Sequence, residues 1–134
     1  MTGAWRAGAL YFLIVFIFAF ACGIARTLVV APIVGDIAAT AIELPLVLGV
    51  AWLVSRRLTG NIAGDERSRL IMGGVAFTLL MLTEFAVAVL VFGWSPAAYG
   101  ATMVSAAGLI GLAGQVGFAL IPFIQRCFTS AQHL

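Results

Sequence analysis

Two acidic residues stand where acids are expensive. Glu43 and Glu84 each lie inside a long apolar run of this 134-residue chain, and an ionisable group at the centre of a membrane-crossing helix costs about 2.5–3.5 kcal/mol on insertion scales. Each therefore needs a partner or a purpose. Glu43 is thirteen residues from Arg56 and Glu84 fifteen from Arg69, so at a rise of about 1.5 Å per residue both stand ~20 Å above the same boundary. Gln115, eleven residues from Arg126, stands ~16 Å up by the same count. A polar layer crossing three helices is expected.

Further groups belong to that layer. Asp36, Thr40 and Glu43 are spaced by four and three, which aligns them as one stripe on a helix and suggests a hydrated path. Arg26, twenty residues beyond Arg6 and so ~30 Å along a helix, is the only cation near the carboxylates. Pro45 cannot donate to the carbonyl of Ala41, so a kink and a free acceptor are expected beside Glu43. Two carboxylates held close together in low dielectric cannot both ionise cheaply, and such a pair can hold one exchangeable proton. The competing reading is structural: Arg26 pairs with one glutamate, the other bonds Gln115 or a threonine, and the network fastens helices together.

Other chemistries lack their residues. The only histidine is His133, so bis-histidine haem and histidine-based zinc or di-iron centres are excluded within one chain, and no metal or cofactor is expected. Gly73-Gly74 falls inside an apolar run and no Gly-rich phosphate loop occurs. A serine hydrolase would need a base that is missing. Cys22 and Cys127 fall near different ends of the expected bundle, which argues against a disulfide.

The elements that position these groups follow from composition. Hydrophobic residues make up 63% of the chain and charged ones 9%, too little polar surface to coat a water-soluble particle. Four apolar stretches are long enough to cross a bilayer, about 8–25, 37–55, 70–93 and 102–125. Backbone groups in lipid must be satisfied within their own segment, and none of the stretches alternates as barrel strands do. The expected fold is a single all-α integral membrane domain, a four-transmembrane-helix bundle spanning 1–134. The first stretch is too long for the core of a cleavable leader.

Arginine counts give the orientation, because positive charge stays in the cytoplasm. Arg6, Arg56, Arg57, Arg67, Arg69 and Arg126 fall on one side and only Arg26 on the other, which places both termini inside. Trp5 and Trp52 then mark the inner interface, and Trp94 and Tyr99 the outer one. Arg56, Arg57, Arg67 and Arg69 are candidates for anionic lipid headgroups. A net charge of +2 argues against nucleic acid. Of the connections, 26–35 either continues the first helix or dips along the interface, Trp94 to Gly100 reads as a Ser-Pro turn, and Asp65 stands ready to cap the third helix.

Gly108, Gly111, Gly114 and Gly117 put small residues along the fourth stretch, at spacings that let backbones approach closely. They fit packing within the bundle, or a contact with a second copy or another membrane protein. The segments Glu43-Leu44-Pro45, Leu82-Thr83-Glu84 and Gly111-Leu112-Ala113-Gly114-Gln115 together resemble a family of short, uncharacterised four-helix inner-membrane proteins of proteobacteria. That resemblance spans nearly the whole chain and implies no activity. Size and helix number are also similar to the small multidrug-resistance transporters, but their membrane glutamate lies in the first helix, which has no acid here. Three functions are compatible with these residues: a binding or transport site for a proton, a cation or a lipid-like polar head; an accessory or assembly protein whose polar layer only specifies packing; or, least supported, a membrane enzyme with a glutamate as acid or base.

Overall fold

The computed structural model of the chain describes residues 2–60 and 65–132. Every regular element among them is helical, and four helices are long and apolar enough to cross a membrane. Helix α1 (Thr2–Ala25) passes through a π-helical turn, Arg26–Val30, into α2 (Ala31–Val34). Of the two courses open to 26–35, the chain takes the first: it stays helical until Gly35, whose φ of 87° is left-handed and ends the run. Helix α3 (Asp36–Thr59) returns, and α4 (Glu66–Ala86) runs out again into a second π-helical turn, Val87–Val91, closed at Gly93 with φ 68°.

The outer connection differs from expectation. Trp94 to Gly100 is no simple turn: Pro96–Met103 forms a short helix, α5, with the Ser95 hydroxyl accepting from the Ala98 N–H and Pro96 in the first turn. Helix α6 (Ala106–Ala131) then begins at Ser105, whose hydroxyl accepts from the Gly108 N–H. Thr102, expected to open the fourth span, belongs to α5 instead. At the other connection Asp65 stands at the N-cap position of α4 but its side chain makes no capping hydrogen bond, and the Ser68 side chain holds its carboxyl below the usual carboxylate range.

Helices α1 and α6 each pack against both α3 and α4, so α3 and α4 occupy one diagonal of the bundle and α1 and α6 the other. The buried cluster draws Ala7, Tyr11 and Val15 from α1, Ala51 from α3, Met72 and Ala76 from α4, and Phe118 and Ile121 from α6. All of these lie toward the arginine-rich end. In the half away from it, Ala39 and Ala88 are the buried apolar residues. The bundle is tight at one end and loose at the other.

Small residues account for the tight end, as expected where lipid removes the hydrophobic drive between helices and close contact must replace it. A Cβ on Gly73 would strike the backbone carbonyl of Ala119, and one on Gly8 would lie 2.7 Å from the Met72 carbonyl oxygen. Neither glycine belongs to the stripe singled out in α6. Of that stripe, Gly114 and Gly117 meet Leu44 and Leu48 of α3, Gly108 abuts the carbonyls of Thr102 and Met103, and Gly111 faces open space. The repeat of three spirals round the helix, so its members cannot share one neighbour.

At the centre of the cluster Tyr11 reaches across the diagonal. Its ring stacks on Phe118 with centroids 4.3 Å apart, and its hydroxyl donates to the Phe118 carbonyl at 2.7 Å. That carbonyl is free because Pro122, four residues on inside α6, has no N–H to offer it. Nearer the end, Ser55 donates to Gln125 Oε1 at 2.8 Å and Gln125 Nε2 donates to the Trp52 carbonyl at 2.7 Å. Arg69 donates to the Pro122 carbonyl at 3.1 Å. Arg69 is thereby held between α4 and α6, while Arg56, Arg57 and Arg67 are exposed.

Two outcomes follow for stability in detergent. Gly73→Ala is expected to destabilise by about 1–3 kcal/mol through overpacking, while Gly111→Ala, with nothing opposite it, stays within about 0.5 kcal/mol of the parent; chemical unfolding followed by circular dichroism reads both. Tyr11→Phe strands the Phe118 carbonyl and is expected to cost about 1–3 kcal/mol. That cost shrinks in a Pro122→Ala background, where the restored N–H serves the carbonyl. A double-mutant cycle measures the difference, and equal costs in both backgrounds would contradict the account.

Candidate functional site

The polar residues expected at mid-depth all lie in the loose half, but they assemble as two separate pairs. Arg26 opens the π-helical turn after α1, and its Nε stands 2.5 Å from Glu43 Oε2 on α3. Gly23, one helical turn before Arg26, lies against the same carboxylate: a Cβ there would sit in ordinary contact, 3.9 Å from Glu43 Oε1. Glycine and arginine thus present one face of α1 to one glutamate. The side chains are 31% and 18% exposed, so the ion pair forms at the rim of the bundle.

The second pair joins α6 to α4. Gln115 Nε2 donates to Glu84 Oε2 at 2.6 Å. The neighbouring Gln115 Oε1 is buried and has no hydrogen-bond partner. Tyr99 of α5 packs on the next residue of α4: its ring meets Phe85 edge-on, with centroids 5.3 Å apart at 80°, and its buried hydroxyl likewise lacks a partner. Burial and then the charge of Glu84 push that hydroxyl above the usual tyrosine range.

The two carboxylates do not form the shared-proton pair that equal depth suggested. They stand on the diagonal helices α3 and α4, and each has its own partner on a different neighbour. Equal depth along two helices fixes height, not which helices touch. Their electrostatics differ accordingly. Glu43 faces a guanidinium that balances its charge, whereas Glu84 faces a neutral amide.

The stripe from the surface is also differently used. Thr40 donates to the Asp36 carbonyl at 2.8 Å, a bond within its own helix that occupies its proton. Asp36 is exposed in the first turn of α3, where a negative charge complements the helix dipole. It borders a shallow groove of about 650 Å³ with Gly35, Ser105 and Ala106. Pro45 lies inside α3, which keeps its helical hydrogen bonding on both sides from Asp36 to Thr59. Among the described residues no three metal-ligating side chains come together, and His133 lies outside them.

Both π-helical turns fall in this half. One begins at Arg26, and the other begins three residues after Glu84. A wide turn inserts one residue, which rotates everything beyond it by about 100° relative to a continuous α-helix. Pro32, next to the first, withdraws an N–H from the regular pattern and gives that turn a local cause. The sequence reading placed Tyr99 only in an aromatic belt and passed over Gly23. Ser95 followed by Pro96 was the available sign that Tyr99 sits on a helix, and the Gly23-to-Arg26 spacing was the sign of a shared face.

No protein-family model, no curated protein and no solved structure matches the chain.

Proposed function

We propose that the chain is a four-pass protein of a bacterial inner membrane, with both termini in the cytoplasm, whose loose half binds a proton, a cation or the polar head of a lipid-like ligand. The observation that carries this reading is at Glu84: a carboxylate with no cationic partner among the described residues, bonded to the amide nitrogen of Gln115, whose buried Oε1 has no partner there either. At the tight end the buried groups of Tyr11, Ser55 and Gln125 are bonded to each other or to backbone, and Arg69 Nε is the buried side-chain atom left without a partner there among the described residues. Buried polar groups without partners cost free energy, and a fold retains them where something else completes them.

The orientation is supported by the arginines. Arg6, Arg56, Arg57, Arg67 and Arg126 share one end, and the lone cation opposite, Arg26, is neutralised by Glu43. The bacterial assignment rests on the resemblance of the Glu43-Leu44-Pro45, Leu82-Thr83-Glu84 and Gly111 to Gln115 segments to short proteobacterial membrane proteins. Arg56, Arg57, Arg67 and Arg69 are the candidates to meet anionic headgroups.

A second reading is favoured by the Arg26–Glu43 pair. One cation balanced by one anion across α1 and α3 is a helix-fastening device, as in an accessory or assembly protein. Glu43→Gln and Glu84→Gln, singly and together, separate the two. If Glu84 is a binding group, Glu84→Gln stays folded and abolishes a carboxyl titration seen by infrared difference spectroscopy. If both glutamates only fasten helices, each substitution lowers the melting temperature and no titration is present in the parent.

A further inference from the structure

We propose that Glu84 carries a proton at neutral pH, held on one carboxyl oxygen and shared with Gln115 Oε1, so that acid and amide form a two-bond pair between α4 and α6. This rests on the reading of Glu84 as a binding group and names the proton as what it binds. An ionised carboxylate only accepts hydrogen bonds, whereas the neutral acid also donates one. That one proton changes what Gln115 can do.

Half of the pair is visible in the amide. Gln115 Nε2 donates to Glu84 Oε2 at 2.6 Å. Its Oε1 belongs to the same planar group, is buried, and accepts from nothing among the described residues. With the carboxyl ionised, that oxygen stays unsatisfied and an anion stays uncompensated, and both cost free energy in a region without water. With the carboxyl neutral, its O–H meets the amide oxygen while the amide N–H continues to meet the other carboxyl oxygen. One hydrogen ion removes both deficits.

No neighbouring cation holds Glu84 ionised. Helix α4 packs against α1, α6 and its own π-helical turn. The titratable or charged side chains are Arg6, Tyr11 and Cys22 on α1 and Arg126 and Cys127 on α6, and the turn Val87–Val91 has none. Arg6, Tyr11, Arg126 and Cys127 belong to the arginine-rich end, where Tyr11 bonds the Phe118 carbonyl and Arg126 pairs with Glu66. Toward the other end stand Cys22, Tyr99 of α5 and the Arg26–Glu43 pair, whose charges cancel. A guanidinium is always charged and keeps Glu43 ionised, whereas an amide makes no such demand of Glu84. Two acids at one depth are thus held in opposite states. The Glu84–Gln115 bond is only part-buried, so the proton can exchange.

The test follows the full chain in detergent by infrared spectroscopy as the pH is raised. The carbonyl band of a protonated carboxylic acid is expected at neutral pH in the parent and in Glu43→Gln, and is lost in Glu84→Gln. Gln115→Met keeps the length of the side chain and removes the amide, so the band moves to higher frequency as the acid loses its hydrogen bonds. Glu84→Gln sets an amide in place of the neutral acid, with the same donor and acceptor. It therefore folds, and it lacks the fall in melting temperature that proton release causes in the parent at high pH. A parent without the band at neutral pH overturns the proposal, as does a band that Gln115→Met leaves unmoved or a Glu84→Gln chain that fails to fold. If Gln115→Met itself does not fold, the position of the parent's band, at the frequency of a hydrogen-bonded or of a free acid, decides in its place. Titration of Glu84 confined to acid pH overturns the pair but keeps Glu84 as a binding group, and no Glu84 titration at any pH removes both.

Discussion

The bundle turns on one hydrogen bond, from the Tyr11 hydroxyl to the Phe118 carbonyl. Pro122 makes that bond possible by withholding the N–H that would otherwise occupy the carbonyl, and it makes the bond necessary because an unpaired carbonyl inside a membrane has no water to turn to. The donor comes from the helix diagonally opposite. α1 and α6 must therefore approach across the centre, and the small residues of the surrounding pairs follow from that demand. Gly8 admits α4 to α1, and Gly73 admits α6 to α4. Tyr11 and Met72 end fully buried.

Burial is uneven along the bundle, and both π-helical turns lie in the less buried half. The mid-depth polar pairs lie in that half too. At the tight end Ser55 and Gln125 are bonded inward, and Arg69 bonds the Pro122 carbonyl through one nitrogen while its buried Nε keeps no partner among the described residues. In the loose half Arg26 and Glu43 meet at the rim, and Glu84 is bonded to an amide whose buried oxygen lacks a partner. Packing constrains one end and leaves chemistry to the other.

What could be read in the sequence is what lies along a single helix. Four apolar stretches, the depth of Glu43, Glu84 and Gln115, and the reach of Arg26 all depend on rise per residue and the hydropathy of one segment. The pairing of the Glu84 side chain with Gln115 was among the possibilities those depths allowed. What could not be read is which helices are neighbours. The pattern gives no reason for α3 and α4, joined by a short connection, to stand diagonally, and so the two carboxylates seemed closer than they are. The part played by Tyr11 escaped for the same reason: a tyrosine in an apolar run shows nothing of a proline 111 positions further on. Other signals were present and unread, such as Ser95-Pro96 opening α5.

The difference between the two glutamates argues that they do different work at the same depth. Glu43 has a permanent counter-charge, so its corner is electrically complete whatever the surroundings supply. Removing Arg26 or Glu43 would strand the other's charge near the rim, where a long side chain can still reach the interface. Glu84 has no such counterpart. An amide can orient a carboxylate but cannot cancel its charge, and in low dielectric that charge must be balanced by something that arrives from outside the chain. A group whose neutrality depends on an arriving ion or proton is sensitive to the composition of the medium, whereas one paired within the fold is not. That asymmetry, more than the presence of acids in the membrane, is what singles out the contact between α4 and α6.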